Sequence, residues 1–501
     1  MMSTKRNNAA LLALCIFMSQ LLASCGAQEA ADDNVEAKTT SESNNTESVV
    51  ETEPDILDGL DFGGETIRFY TSISNYDYET SNNYIEGSGE ENGDLVNDAV
   101  YYRNLNTEEK LNVKLEFIQT DQLWDTIGAD IQKTVMAGDD IYDVVINDMY
   151  PLANLSIEGL FQNIKDNKYI QFDKIYWYDD YMNDLTIGNE KMFLLAGDFF
   201  IDVIRNAHAL YFNKTMLTNL GENPDDLYQL VLDGKWTIDE LLSYTKLGYK
   251  DLNGDAKIDN EDQFGYITVG TWGSAIPFMI SADISFIERD KDGIPSIAMN
   301  NERSVKLLEK LNEFFWDSAS NSTYQQAEII TRFAAGQSLF VGFQRLGSID
   351  AFRAMEDDMG LLPYPKLDAT QSEYITSTHD ITEVGAIPIT CTKVDTVCAV
   401  LEQLCRETND VVLPAYYETA LKVKYVRDNV SAQMIDIIHD NISIAFPLAY
   451  NNKVNGIFLS KCFSDPLTAK KTDFASAYTA AEPAAIKALQ TIIDTFMENN
   501  E

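Results

Sequence analysis

Between Asp121 and Ile146 the hydrophobic period of the chain changes from that of a helix to that of a strand. Trp124, Ile127, Ile131 and Val135 recur at three- and four-residue spacing, which predicts a helix over Asp121–Ala137. Gly138-Asp-Asp140 stops it, and Tyr142-Asp-Val-Val-Ile146 then runs almost without a polar break. A strand of that kind is apolar on both faces, so it needs cover above and below, as in a parallel sheet flanked by helices. Upstream, Thr66–Tyr70 reads as a short strand after the Phe62-Gly-Gly64 turn. Ala99–Lys110 reads as a polar-faced helix, and Val113-Lys-Leu-Glu-Phe117 as the next strand. Two successive strand–helix–strand units therefore open the folded region, and the fold class is α/β.

The N-terminus stands apart from this pattern. Lys5 and Arg6 precede an apolar run from Ala9 to Met18, and small residues follow, which reads as a secretory signal peptide over 1–24. Its end, Leu22-Ala-Ser-Cys-Gly26, resembles the bacterial lipobox. That resemblance implies that Cys25 becomes the mature N-terminus and carries a lipid; the alternative is a plain signal peptide with a chance cysteine. The apolar run is shorter than the roughly 20 residues needed to span a bilayer. The expected location is the extracellular face of the cell membrane, held by the lipid alone, or the periplasm in a cell with two membranes. Residues 25–55 read as a disordered tether. Nine acidic residues between Glu29 and Asp55 face the single Lys38, and no aromatic residue offers a core.

Charge removes whole classes of partner. The 501 residues carry 80 Asp+Glu against 37 Lys+Arg, a net charge of −43, which repels nucleic-acid backbones. The only histidines are His208, His379 and His439, too dispersed in sequence to suggest a zinc hydrolase. Beyond Cys25, Cys391, Cys398, Cys405 and Cys462 read as small buried apolar residues, with a disulfide to Cys462 left open. Catalytic signatures such as Gly-x-Ser-x-Gly, His-Glu-x-x-His and a phosphate-binding loop are absent from the sequence.

Several segments in order carry a family resemblance: Asn97-Asp-Ala-Val-Tyr-Tyr-Arg-Asn104, Tyr142-Asp-Val-Val145, Ala209-Leu-Tyr-Phe-Asn-Lys214, Gly234-Lys-Trp-Thr-Ile-Asp-Glu-Leu241, Phe333-Ala-Ala-Gly336 and Met359-Gly-Leu-Leu-Pro-Tyr-Pro-Lys366. Together they resemble the carbohydrate-type extracellular solute-binding proteins of ABC importers, over about residues 60–500. The resemblance implies a two-lobed clamshell, each lobe a mixed or parallel sheet flanked by helices. Lobe one is expected over 56–195 and 385–427, and lobe two over 207–374 and 435–501. The crossing segments fall at 196–206, 375–384 and 428–434. It also implies a monomer that hands a carbohydrate, with an oligosaccharide as first choice, to the permease subunits of a transporter, without catalysis.

Asp251-Leu-Asn-Gly-Asp-Ala-Lys-Ile-Asp-Asn-Glu-Asp262 matches the spacing of an EF-hand-type calcium loop. Asp251, Asn253, Asp255, Asp259 and Asp262 supply side-chain oxygens, and Lys257 its carbonyl, around one hard cation. Ala256 stands where glycine is usual, and Asp262 where glutamate is usual, as in dockerin loops. The ion is expected to be structural, by analogy with inserts in the resembling family; the alternative is an acidic turn that binds nothing.

In open α/β sheets ligands bind beyond the carboxyl ends of strands. The residues there include Thr71, Ser72 and Asn75, Asp148 and Tyr150, Trp272, and Phe343, Gln344 and Arg345. Aromatic faces beside carboxylate, amide and guanidinium groups suit a neutral or weakly charged sugar. Trp272 and Tyr150 are the expected stacking residues, and Asp148 and Arg345 the expected hydroxyl ligands. The alternatives are a core position for Trp272, and for Arg345 an ion pair with Asp148 or Asp350 away from ligand. Two functional alternatives stay open: a secreted glycan hydrolase, which needs only two carboxylates, and a surface adhesin or receptor lipoprotein.

Overall fold

The computed structural model describes residues 55–72, 82–123, 126–317, 320–352, 354–422 and 429–499. The expected signal peptide, Cys25 and nearly all of the tether lie outside them. The tether's last residue, Asp55, is pinned by Lys110 at 2.7 Å and Arg406 at 2.6 Å, which hold its carboxyl far below the usual range although burial pushes it up.

In chain order the strands are β1 (Glu65–Ser72), β2 (Val113–Thr120), β3 (Val144–Asp148), β4 (Leu194–Leu195), β5 (His208–Asn213), β6 (Phe264–Val269), β7 (Ile287–Arg289), β8 (Pro295–Ile297), β9 (Ser320–Tyr324), β10 (Ser338–Arg345), β11 (Met359–Leu362) and β12 (Glu383–Ala386). They form one sheet ordered β2-β1-β3-β12-β4, a second ordered β11-β5-β10-β6-β9, and a ribbon β7-β8. Both main sheets are mixed. β1 runs parallel to β2 and β3, whereas β12 is antiparallel to β3 and β4. In the second sheet β6 is parallel to β10 and β9, and β5 is antiparallel to β10 and β11. The α/β class thus follows the sequence pattern, and the mixed sheets agree with what the family resemblance implies.

Local chemistry explains the elements that bring the chain to the site. Helix α1 (Leu95–Leu111) joins β1 to β2; the Asp94 carboxylate accepts from the Val96 and Asn97 amides, and left-handed Asn112 (φ 48°) ends it. Helix α2 (Ile127–Met136) starts later than the periodicity predicts. The chain first closes a turn in which the Leu123 amide donates to Thr126 Oγ1 at 3.0 Å and the Thr126 amide to the Leu123 carbonyl. Every residue of β3 is buried, as its apolar run requires, and β3 passes directly into helix α3 (Met149–Ile157). The short helix α4 (Asp202–Arg205) lies between the sheets and is buried throughout. Helix α5 (Ile238–Gly248) lies directly on β6, because Gly265 leaves room for its backbone: a Cβ there would overlap the Thr245 carbonyl. Helix α6 (Thr271–Ser281) follows β6. Helix α7 (Asn429–Asp440) is already joined to the second sheet's surroundings, with Ser431 Oγ 3.1 Å from Tyr228 Oη. The terminal helix α8 (Phe474–Asn499) reaches back to the first sheet, with Phe496 against Phe193 and Asn499 Nδ2 donating to the Ile157 carbonyl at 3.2 Å.

Cys391, Cys398, Cys405 and Cys462 are buried and free. Among the described residues no helix is long and apolar enough to cross a membrane.

Candidate functional site

Two passages of chain run side by side between the sheets, residues 196–207 and 374–382. The His208 amide donates to the Ser377 carbonyl at 2.8 Å and the His379 amide to the Asn206 carbonyl at 2.9 Å, while Ala207 bridges Thr378. The Met149 amide donates to the Thr382 carbonyl at 2.8 Å. The passages are therefore tied both to the end of β3 and to the start of β5. Polar side chains that would be costly in a core collect at this seam.

A chain of contacts crosses it. Asp202 accepts from Arg205 Nη1 at 2.7 Å and from Asn206 Nδ2 at 3.2 Å. Asn206 Oδ1 in turn accepts from Arg345 Nη1, at the end of β10, at 3.1 Å. His379 Nδ1 lies 2.7 Å from Asp380. Asp148, at the end of β3, feels the charges of Asp202 and Asp380, and both of those feel Arg345. Asp148 and Arg345 thus approach one electrostatic cluster from different sheets.

Burial sets the protonation of the cluster. It pushes the Asp148 carboxyl well above the usual range, and the neighbouring Asp202 and Asp380 charges push it further. Asp202 is also raised by burial, against the pull of Arg205 and Arg345. Burial raises Asp380, but the His379 contact together with a backbone amide and the Arg345 charge brings it below its ordinary value. His208 is held well below its ordinary value by burial and by His379 and Arg345, so it stays a neutral imidazole.

An aromatic wall borders these groups. A bulge in β10 between Val341 and Gln344 turns Phe343 into the left-handed region (φ 56°), with its amide donating to Tyr364 Oη at 2.7 Å. The Phe343 ring lies 5.1 Å from His379 and 5.6 Å from His208. Gly273, in the first turn of α6, makes room for it: a Cβ there would sit 2.9 Å from Phe343 Cζ. The wall offers a flat face next to carboxylates, an amide and a guanidinium.

The strand-end residues expected from sequence divide into groups. Thr71 and Ser72 are buried at the end of β1, and Ser72 Oγ donates to Asn147 Oδ1 at 3.1 Å. Tyr150 is half-buried in the first turn of α3. Gln344 is fully buried and donates to the Gly342 carbonyl at 3.2 Å, so it braces the bulge. Trp272 is the second residue of α6; its side chain, like Asn75 as a whole, lies outside the described residues. The sequence reading placed Phe343 among the strand-end residues without giving it a role, and did not single out Asp202, Asn206, His208, His379 or Asp380 as site residues. A signal for three of these, Asp202, Asn206 and His208, was present: Leu194–Phe212 is an apolar run interrupted by Asp198, Asp202, Arg205, Asn206 and His208.

The acidic loop has the backbone of its motif. Ala256, at the glycine position, is left-handed (φ 58°), and Asp251 Oδ2 accepts its amide at 2.9 Å. The other side chains face loop groups: Asn253 accepts from the Asp255 amide, Asp255 from the Lys257 amide, Asp259 from the Glu261 amide, and Asp262 from the Asp259 amide. Among the described residues no group of three or more His, Cys, Asp or Glu is gathered tightly enough to hold a metal ion.

No protein-family model matches the chain, and no curated protein matches it. Solved structures do. An ABC transporter solute-binding protein from Thermotoga lettingae, bound with α-D-tagatose, is 13% identical with a TM-score of 0.53, over 85% of this chain and 100% of that one. A cyclo/maltodextrin-binding protein complexed with maltotetraose is 14% identical with a TM-score of 0.52, over 87% of this chain and 97% of that one. An uncharacterized protein from Listeria monocytogenes is 12% identical with a TM-score of 0.56, over 85% of this chain and 100% of that one. The chain has the fold of the two-lobed solute-binding proteins of ABC transporters.

Proposed function

We propose that this protein captures a carbohydrate at the cell surface by closing its two lobes, and hands it unchanged to the permease of an ABC transporter. One observation carries the reading: in a fold shared with sugar-bound solute-binding proteins, Asp148 and Arg345 reach a single polar seam from different sheets, beside the Phe343 wall. Planar polar groups match paired hydroxyls, and flat rings match the C–H faces of a sugar. In this reading an oligosaccharide also stacks on Trp272 and Tyr150, and the strand-end hydroxyls of Thr71 and Ser72 border it. Closure bends the passages near 196–206, 375–384 and 428–434. Lipid on Cys25 holds the protein to the outer face of the membrane. A calcium ion draws Asp251, Asn253, Asp255, Asp259, Asp262 and the Lys257 carbonyl together and stiffens the loop before β6.

The test is calorimetric titration with a panel of mono- and oligosaccharides, followed by chromatography of the recovered sugar. Saturable binding with the sugar intact is expected. Cleavage products would make the protein a hydrolase, and an absence of binding across the panel would refute the carbohydrate reading.

A further inference from the structure

At the seam, Asp148 has no side-chain partner among the described residues, unlike its acidic neighbours. Asp202 has Arg205 and Asn206, and Asp380 has His379. Asp148 keeps only 6% of its surface exposed, yet its carboxylate accepts no hydrogen bond and joins no ion pair among the described residues. Its charged neighbours Asp202 and Asp380 repel it.

Two buried polar atoms lack partners among the described residues: Thr71 Oγ1 at the end of β1 and His208 Nε2 at the start of β5. Thr71 is paired in register with Ile146, and Asp148 lies two residues beyond Ile146 on β3. Thr71 and Asp148 therefore stand on the same face of the first sheet. His208 opens β5 in the second sheet and is 2% exposed. Thr71 Oγ1 on the first sheet and His208 Nε2 on the second are thus unfilled buried groups on the two sheets that Asp148 and Arg345 come from.

Burying such a group is unfavourable unless something binds it. A neutral hydroxyl would satisfy one hydrogen bond, whereas only a cation would also favour the ionised carboxylate that burial, Asp202 and Asp380 disfavour. A ligand ammonium would answer both. The net charge of −43 also raises the local concentration of cations around the protein. We infer that the site selects a carbohydrate bearing a protonated amine, a free amino-sugar unit in place of a neutral or N-acylated one, with Asp148 as its counter-charge. The inference rests on the carbohydrate-binding reading above.

The probes are glucosamine and galactosamine with their short oligomers, each compared by calorimetry with its N-acetylated form and its neutral parent sugar. The wild-type protein should bind the amine forms about ten- to a hundredfold more tightly, the range of a charge-assisted hydrogen bond. Asp148→Asn, confirmed as folded by its melting curve, should lose that preference. If neutral or N-acetylated sugars bind as tightly as the amines or more so, the inference is overturned and the carbohydrate reading stands. An amine preference that survives in Asp148→Asn would refute the role of Asp148. If no sugar of any kind binds, both readings fall together.

Discussion

Replacing Asp148 with Asn should make the ligand-free protein more stable, although the residue lies in the candidate site. The side chain keeps its shape and loses a charge that is buried, unpaired among the described residues, and repelled by Asp202 and Asp380. The new amide also offers donors toward those two carboxylates. Relief of one unsatisfied buried polar group is worth about 1–3 kcal/mol. The pH dependence has a definite sign. The folded pKa of Asp148 lies above its ordinary value of 3.8. Its protonated form is therefore compatible with the fold below that pH, and wild-type stability is lost as pH rises toward the folded value. The variant lacks this loss, so its advantage should open with rising pH and close in acid. Urea midpoints at pH 5 and pH 8, at one salt concentration, measure it. A variant less stable than wild type at pH 8, or a difference independent of pH, would show that Asp148 is a paired structural anchor and refute the reasoning.

His439→Gln should show the opposite profile. Asp198 at 3.8 Å and Asp440 at 2.9 Å raise His439 to about 9 despite its burial, so its contribution is complete below about 6.5 and disappears as pH rises through about 9. Melting curves should therefore separate wild type from variant at pH 6 and converge above that upper value. In metal-free protein, added calcium should raise the melting temperature, and Asp255→Ala should abolish the rise; identical curves with and without calcium would sink the metal reading. Cys25→Ala should block lipid attachment, leaving the protein released into the medium or unprocessed in the membrane, as read by labelling with a lipid analogue.

The fold was legible wherever one local pattern sufficed. The apolar run ending in Val144-Val-Ile146 announced a strand buried on both faces, and β3 is that strand. The strand-end rule likewise put Asp148 and Arg345 at the ends of their strands, where β3 and β10 have them. What stayed hidden depends on long-range pairing. His379 and Asp380 matter because residues 374–382 pair with Ala207 and His208, more than a hundred residues earlier, and no local spacing encodes that partnership. Phe343 was legible as a strand-end residue, but its geometry was not. An alternating strand pattern gives no sign of the bulge that turns its backbone to φ 56° and sets its ring against His379. Gln344 illustrates the converse: the same bulge leaves it wholly buried, beside the site and not open to it.

The most direct test of the account is small-angle X-ray scattering of the protein with and without a saturating sugar identified by calorimetry. Closure of two lobes over the seam predicts a smaller radius of gyration in the bound form, with the sugar recovered intact. A sugar that binds tightly while the radius of gyration stays the same, or that emerges cleaved, would contradict capture by closure.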